Sequence, residues 1–141
     1  MHVFELHPQL ASETFTIGRF SLCRLLLMND SRYPWFVLVP ERDNIRELHE
    51  LEDADRRQLW EESARLSRIL SRLFNPDKLN IAALGNQVPQ LHVHHIVRYR
   101  HDPAWPAPVW GKLLATPYYS AEQTKIRNLL LNNLQGALRP G

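Results

Sequence analysis

Two apolar segments in the first third of the chain have the composition of β-strands. Residues 15–28 are rich in apolar side chains but are interrupted by Gly18, so they predict either one long strand or a hairpin. Residues 35–39 form a short block of aromatic and β-branched side chains that ends at Pro40, which is typical of a buried strand. The N-terminal part of the chain is therefore predicted to be mainly β-structure.

Two further strands are predicted in the middle of the chain. Residues 79–84 and residues 90–99 are both apolar-rich, and the Gly-Asn-Gln sequence at 85–87 supplies a turn between them. Strands joined by a short turn pair antiparallel, so these two segments predict a second hairpin.

The segment from Asp53 to Phe74 has the periodicity of an amphipathic helix. Its apolar residues recur at helical spacing, and arginines and glutamates occupy the opposite face. A final helix is predicted to open near Ser120, after a proline-rich and aromatic segment, residues 103–119, that predicts an ordered surface loop. These elements predict an α+β fold with a mainly antiparallel sheet of about five strands. The long helix is expected on one side of the sheet and the functional site at its other edge.

Length, composition and charge narrow the class of protein. The chain has 141 residues, of which 44% are hydrophobic and 23% charged, so we expect a single domain, residues 1–141, with one core. The net charge of +2 comes from 17 basic and 15 acidic residues that are spread along the chain. A nucleic-acid polymer is therefore not expected as a partner, whereas a small anionic ligand is compatible with this charge.

The N-terminal residues and the single cysteine bear on location and on metal binding. Residues 1–8 lack the apolar stretch of a secretory signal, and no apolar run is long enough to cross a bilayer, so we expect a cytoplasmic protein without a membrane span. Cys23 is the only cysteine, which excludes an internal disulfide and a cysteine-rich zinc site.

Three of the seven histidines lie within residues 90–97, and this clustering is the most informative feature of the sequence. On a strand, Gln90, His92 and His94 would project to one face, about 6.5–7 Å apart, because side chains alternate. An imidazole can act as a nucleophile, a proton donor or a proton acceptor near neutral pH. By itself, a pair of histidines on a strand is more often polar surface or a set of metal ligands than a nucleophile, so the surrounding residues decide between these interpretations.

The residues around this cluster resemble the histidine triad (HIT) superfamily, whose motif alternates histidines with apolar residues. The chain reads Gly85-Asn86-Gln87-Val88-Pro89, then Gln90-Leu91-His92-Val93-His94-His95-Ile96, and then Arg98. In this register Gln90 replaces the first histidine of the motif and His95 replaces an apolar residue. A shifted register with His94 at the centre would misplace Val88 and Arg98.

The resemblance implies a function and a set of site residues. It implies a HIT-like half-barrel and a hydrolase or nucleotidyl transferase that acts on the α-phosphate of a dinucleoside polyphosphate, such as diadenosine tetraphosphate, or of a nucleotide adduct. His92 would form the covalent intermediate and His94 would assist. Gln90, Asn86 and Gln87 would support the site or bind phosphate, Asn29 would contact the nucleoside, and Trp105 or Trp110 could close over the site.

The resemblance also implies a homodimer and a reaction without metal or cofactor. Two alternatives stay open at this point. One is a nucleotide-binding module without catalytic activity, in which the replacement of the first histidine by Gln90 has abolished the reaction. The other is a metalloprotein in which a third histidine (His2, His7, His49 or His101) completes a site with His92 and His94.

Overall fold

Six strands form one antiparallel sheet in the computed structural model, which describes residues 2–141. Their bounds are β1 (Thr14–Arg19), β2 (Cys23–Met28), β3 (Trp35–Pro40), β4 (Lys78–Ala82), β5 (Val93–Arg98) and β6 (Arg139–Pro140). The order across the sheet is β4-β5-β3-β2-β1-β6. The predicted α+β class and the β4–β5 hairpin are confirmed, and residues 15–28 form the β1–β2 hairpin, which is one of the two predicted alternatives.

The sixth strand and the position of β5 differ from the prediction. β6 has two residues and pairs with Gly18 and Arg19, and so short a polar segment has no apolar pattern that could announce it. A Cβ atom at position 18 would lie 2.3 Å from the carbonyl oxygen of Arg139, so only glycine allows this approach. β5 lies between β4 and β3, so the histidine motif belongs to an interior strand rather than to an edge.

Three α-helices accompany the sheet: α1 (Pro8–Glu13), α2 (Asp53–Phe74) and α3 (Ser120–Asn133). A single 3-10 turn, Leu48–Glu50, precedes α2. The bounds of α2 agree with the periodicity of the sequence, and Asn75 ends the helix in the left-handed region with φ 46°. α1 was not predicted, because a helix of six residues is too short to show a period.

The sheet buries an apolar core on each face. On one face, α2 packs Leu59, Leu66 and Leu70 against alternate residues of the strands. On the other face, a second cluster contains Leu26 and Val37, and it is covered by the N-terminal segment, α1 and residues 104–110. The strands therefore alternate between two cores rather than between a core and solvent.

This alternation separates neighbouring histidines of β5. His95 points toward α2, where its Nε2 lies 2.7 Å from the Ser63 hydroxyl and its Nδ1 lies 3.1 Å from the Val93 carbonyl oxygen. Burial lowers the pKa of His95 to about 4, so the ring is neutral at pH 7. His94 faces the opposite side, as the strand period predicts. None of the helices within residues 2–141 combines the length and the apolarity needed to span a membrane.

Candidate active site

A cavity of about 660 Å³ opens on the face of the sheet opposite α2. Its walls come from α1, the end of β2, the β4–β5 connection and the loop that follows β5. Both predicted histidines, His92 and His94, line this cavity, and their ring centroids are 4.9 Å apart. The structure therefore brings the histidine pair together beside a cavity of ligand size.

His92 lies one residue before β5, not within the strand as the sequence predicted. Its Nδ1 lies 2.7 Å from the carbonyl oxygen of Gln90. A carbonyl can only accept, so Nδ1 carries the proton in the neutral ring and Nε2 keeps its lone pair. Burial is the main cause that lowers the pKa of His92 below its ordinary value. The ring is therefore held as a neutral base or nucleophile at Nε2.

His94 has the opposite tautomer because of Trp35. The indole Nε1–H of Trp35 donates to His94 Nδ1 over 2.9 Å, so Nδ1 accepts and Nε2 carries the proton. Burial, followed by the neighbouring His92 and His95, lowers the pKa of His94 to about 3. His94 is thus a neutral N–H donor, and its role as a hydrogen-bond donor is better supported than a role as a charged acid.

Trp35 lines the cavity, although its direct hydrogen bond to His94 was not predicted from the sequence. It lies opposite Ile96 in the β3–β5 pairing, two residues from His94, so the two side chains are diagonal neighbours on one face. The signal available in the sequence was weak, because an aromatic residue in an apolar strand usually just fills the core.

Gln90 does not line the cavity, and its side chain points to the N-terminal segment instead. Its Oε1 accepts from the backbone N–H of His7 over 2.9 Å, and its Nε2 donates to the carbonyl oxygen of Glu5 over 3.0 Å. The expectation that the Gln90 side chain aligns with His92 and His94 is therefore wrong. Gln90 supports His92 through its backbone carbonyl, which any residue at this position would supply.

Asn86 and Gln87 both line the cavity from the β4–β5 connection. Gly85 starts this turn with φ 75°, a conformation that favours glycine. The side-chain oxygen of Gln87 accepts from Gln9 Nε2 of α1 over 3.2 Å. Asn86 and Gln87 therefore line the cavity together with Gln9 of α1, and a contact of Asn86 or Gln87 with a ligand stays a prediction.

Asn29 lines the cavity at the end of β2. Its Oδ1 accepts from the backbone N–H of Tyr118 over 2.9 Å, which fixes the segment that leads into α3. Beside it, burial would raise the pKa of Asp30, but hydrogen bonds from Arg32 and from the Thr116 N–H hold that pKa below its ordinary value. Asn29 thus lines the cavity and holds the loop, and its contact with a nucleoside stays a prediction.

The two loop tryptophans have different positions. Trp110 lines the cavity, with its ring centroid 5.0 Å from His94 and 5.8 Å from Trp35. Trp105 packs against the guanidinium of Arg98 instead, so only Trp110 is placed at the site. Arg98 is buried and holds the loop through Asp102, at 2.8 and 3.1 Å, and the carbonyl oxygen of Ala107, at 2.8 Å. The basic residue of the motif therefore anchors the aromatic wall.

The charged side chains that line the cavity are Glu13, Asp30 and Arg32. Arg32 forms a two-pronged ion pair with Asp30, with contacts of 2.9 and 2.8 Å. Glu13 has no cation of its own in the lining, so the walls described here carry an excess negative charge.

The protein-family model of the HIT domain matches residues 9–101 of this sequence. These residues include His92 and His94 and most of the cavity walls. The chain belongs to the HIT domain family. HIT proteins are generally nucleotide hydrolases or transferases and bind nucleotide substrates.

Solved structures of histidine triad proteins agree with this assignment. A protein from Marinobacter aquaeolei VT8 is 48% identical with a TM-score of 0.93, and the match covers 96% of this chain and 99% of that one. A protein from Bradyrhizobium japonicum is 42% identical with a TM-score of 0.89, covering 92% and 96%. A protein from Sinorhizobium meliloti is 41% identical with a TM-score of 0.90, covering 93% and 97%. No curated protein matches the chain.

The alternative of a histidine-ligated metal lacks a ligand set. Across residues 2–141, no group of three or more histidine, cysteine, aspartate or glutamate side chains is arranged to hold a metal ion. His2 pairs with Asp43, and His101 stacks on Tyr99, so these histidines have other partners than the His92–His94 pair.

Proposed function

We propose that this HIT protein transfers a nucleotidyl group from its substrate to His92 and then to water or another acceptor. The observation that carries the proposal is the bond between His92 Nδ1 and the Gln90 carbonyl oxygen, 2.7 Å long. That bond leaves Nε2 as the ring nitrogen with a free lone pair, on a side chain that lines the cavity. A neutral imidazole is a competent nucleophile, and burial keeps it neutral at pH 7.

The reaction divides into two displacements at the α-phosphorus. In the first, His92 Nε2 forms a bond to phosphorus, and the leaving group departs with the electron pair and takes a proton from solvent. In the second, water attacks the phosphorus, loses a proton, and the P–N bond breaks to return the lone pair to Nε2. The products are a nucleoside monophosphate and the leaving group, and the enzyme is regenerated.

Neutral donors would stabilise the phosphoryl oxygens in both steps. His94 offers its Nε2–H because Trp35 occupies Nδ1. Asn86 and Gln87 offer side-chain amides from the β4–β5 connection. Donors held in place before the reaction stabilise developing charge more effectively than mobile water. Asn29 would contact the ribose, since it lies across the cavity at the end of β2.

The charge of the cavity favours one of the two substrate classes expected from the family. A dinucleoside polyphosphate brings several negative charges, and the only lysine or arginine in the cavity lining, Arg32, is paired with Asp30. Glu13 would repel further phosphates. A nucleotide adduct with a neutral or cationic leaving group, such as a nucleoside phosphoramidate, fits these walls better. We therefore place adducts before dinucleoside polyphosphates.

We also propose a homodimer. β4 is one of the two outer strands of the sheet. Ile81 in this strand and Leu84 just after it leave 45% and 48% of their surface exposed. An apolar outer strand of this kind is suited to pairing with a second copy of the chain.

The test is product analysis on a panel of nucleoside phosphoramidates and dinucleoside polyphosphates. The parent should release a nucleoside monophosphate, and His92→Ala should reduce kcat by about a thousandfold or more. His49→Ala, at an exposed histidine outside the cavity, is the matched control and should behave as the parent. Equal rates for His92→Ala and the parent would overturn the proposal. Tight binding of the monophosphate without product from any compound would favour the non-catalytic alternative.

A further inference from the structure

A second cavity, of about 440 Å³, lies at the other end of the strands from Trp35 and Met28. It is walled by the β1–β2 turn, the residues that follow β3, the N-terminal segment and β6, and it shares no residue with the histidine cavity. Its volume falls within the range of about 300–1,000 Å³ that is usual for small-molecule sites. The nucleotidyl reaction gives it no role.

Three arginines stand side by side across three strands at this cavity. Arg19 of β1 is the direct partner of Arg24 on β2 and of Arg139 on β6. Direct antiparallel partners project to the same face with about 4.5–5.5 Å between their Cβ atoms, and like charges in such pairs are destabilising. A row of three like charges is a local conflict in the fold, and such conflicts are typical of functional sites.

The acidic residues at this cavity compensate only part of the charge. Glu41 is shared between Arg19 and Arg24, with N···O distances of 3.3 and 3.5 Å. Arg42 also lines the cavity, but it is paired with Asp55 at 2.7 and 3.1 Å. Within residues 2–141, Arg139 has no carboxylate within 4.0 Å. The row of three arginines therefore carries two more positive charges than its carboxylate partner neutralises.

Arg24 is the most buried of the three arginines in this row. Its side chain is only 14% exposed, and it packs beneath the ring of Phe4 from the N-terminal segment. Its Nε is buried and lies 3.5 Å from Glu41 Oε1, but in the described part of the chain neither of these two atoms makes a hydrogen bond. A buried guanidinium N–H that makes no hydrogen bond is costly, and a bound oxyanion would supply an acceptor for it.

We infer that this cavity is a binding site for a small phosphate-bearing anion, held by Arg19, Arg24 and Arg139. The planar guanidinium group binds phosphate oxygens in pairs, which suits adjacent arginines better than lysines. A phosphate monoester carries close to two negative charges at pH 7, which matches the excess on the row. The site is independent of the histidine chemistry, and it stands whether or not His92 transfers a nucleotidyl group.

The test is a titration of the full chain with inorganic phosphate. The arginine Nε–H signals of the ¹⁵N-labelled protein are monitored by NMR during the titration. Saturable shifts of the Arg19, Arg24 and Arg139 signals are expected. Arg139→Gln, at an exposed side chain, should weaken binding at least tenfold. Arg68→Gln removes the same charge from the exposed face of α2 and should leave the affinity unchanged.

A second measurement, of thermal stability, tests the same site independently of the NMR signals. Without phosphate, Arg139→Gln should raise the Tm, because it removes one of three like charges. With phosphate, the parent should gain thermal stability and Arg139→Gln should gain much less. The inference is overturned if Arg139→Gln binds phosphate as tightly as the parent, or if phosphate shifts only signals from the histidine cavity.

Discussion

Acidification from pH 7 to pH 5 should destabilise this protein strongly, because three histidines are buried in neutral form and two of them, His94 and His95, have strongly lowered pKa values. The pKa is lowered to about 3 for His94 and to about 4 for His95, whereas both would titrate near 6.5 when unfolded. Below pH 6.5 the unfolded chain binds more protons than the native state does. The stabilisation is therefore fully present above pH 6.5 and is lost as the pH falls toward the native pKa. Each ring contributes about 1.4 kcal/mol per pH unit, or about 2 kcal/mol by pH 5. Together they should lower the free energy of unfolding by about 4 kcal/mol, a large part of the usual 5–15 kcal/mol.

Urea unfolding at pH 7 and pH 5, followed by tryptophan fluorescence, measures this loss. His94→Gln and His95→Gln should each lose about 2 kcal/mol less than the parent over this pH range, although both start from lower stability at pH 7. His49→Gln is the matched control at an exposed histidine and should keep the full loss. Asp30 and Asp102 have lowered pKa values, so the stability that they contribute is lost only as the pH falls below about 4 and does not affect this comparison. A parent that loses less than about 1 kcal/mol would refute the assignment of neutral buried rings.

Three substitutions test the separate parts of the site. Trp35→Phe removes the N–H that donates to His94 Nδ1, so the pKa of His94 should rise and kcat should fall about tenfold. The acidic limb of the pH–rate profile should therefore begin at a higher pH than in the parent. An unchanged profile would contradict this. Gln90→Ala keeps the backbone carbonyl that holds His92, so kcat should change less than about threefold. The lost side-chain bond should make amide hydrogen exchange at residue 7 faster and lower the free energy of unfolding by about 1 kcal/mol. Glu13→Gln should raise kcat/KM for dinucleoside polyphosphates relative to phosphoramidates by about threefold to tenfold, and an unchanged ratio would remove the charge argument.

The periodic parts of the fold could be predicted because their signal is local. The apolar spacing of α2 gave its bounds, and the buried block at residues 35–39 gave β3. The alternation along the motif correctly placed His94 and His95 on opposite faces, since β5 is regular from residue 93 onward. The same alternation failed for Gln90, which precedes the strand and turns to the N-terminal segment.

The contacts that define the site could not be predicted because they join distant parts of the chain. Trp35 and His94 are 59 residues apart, and Gln90 and His7 are 83 residues apart. No local pattern marks which buried tryptophan will donate to which histidine. For the same reason, β6 and the row of three arginines could not be predicted from the sequence. The row forms only because β1 pairs with both β2 and β6.

The identity of the nucleophile tests the account most directly. The parent would be mixed with a nucleoside phosphoramidate, quenched in alkali because a phosphorus–imidazole bond is labile in acid, and digested for peptide mass spectrometry. The account predicts one nucleotidyl group on His92 that disappears as the monophosphate accumulates. Turnover with no adduct on any residue, or with the adduct on His94, would contradict it.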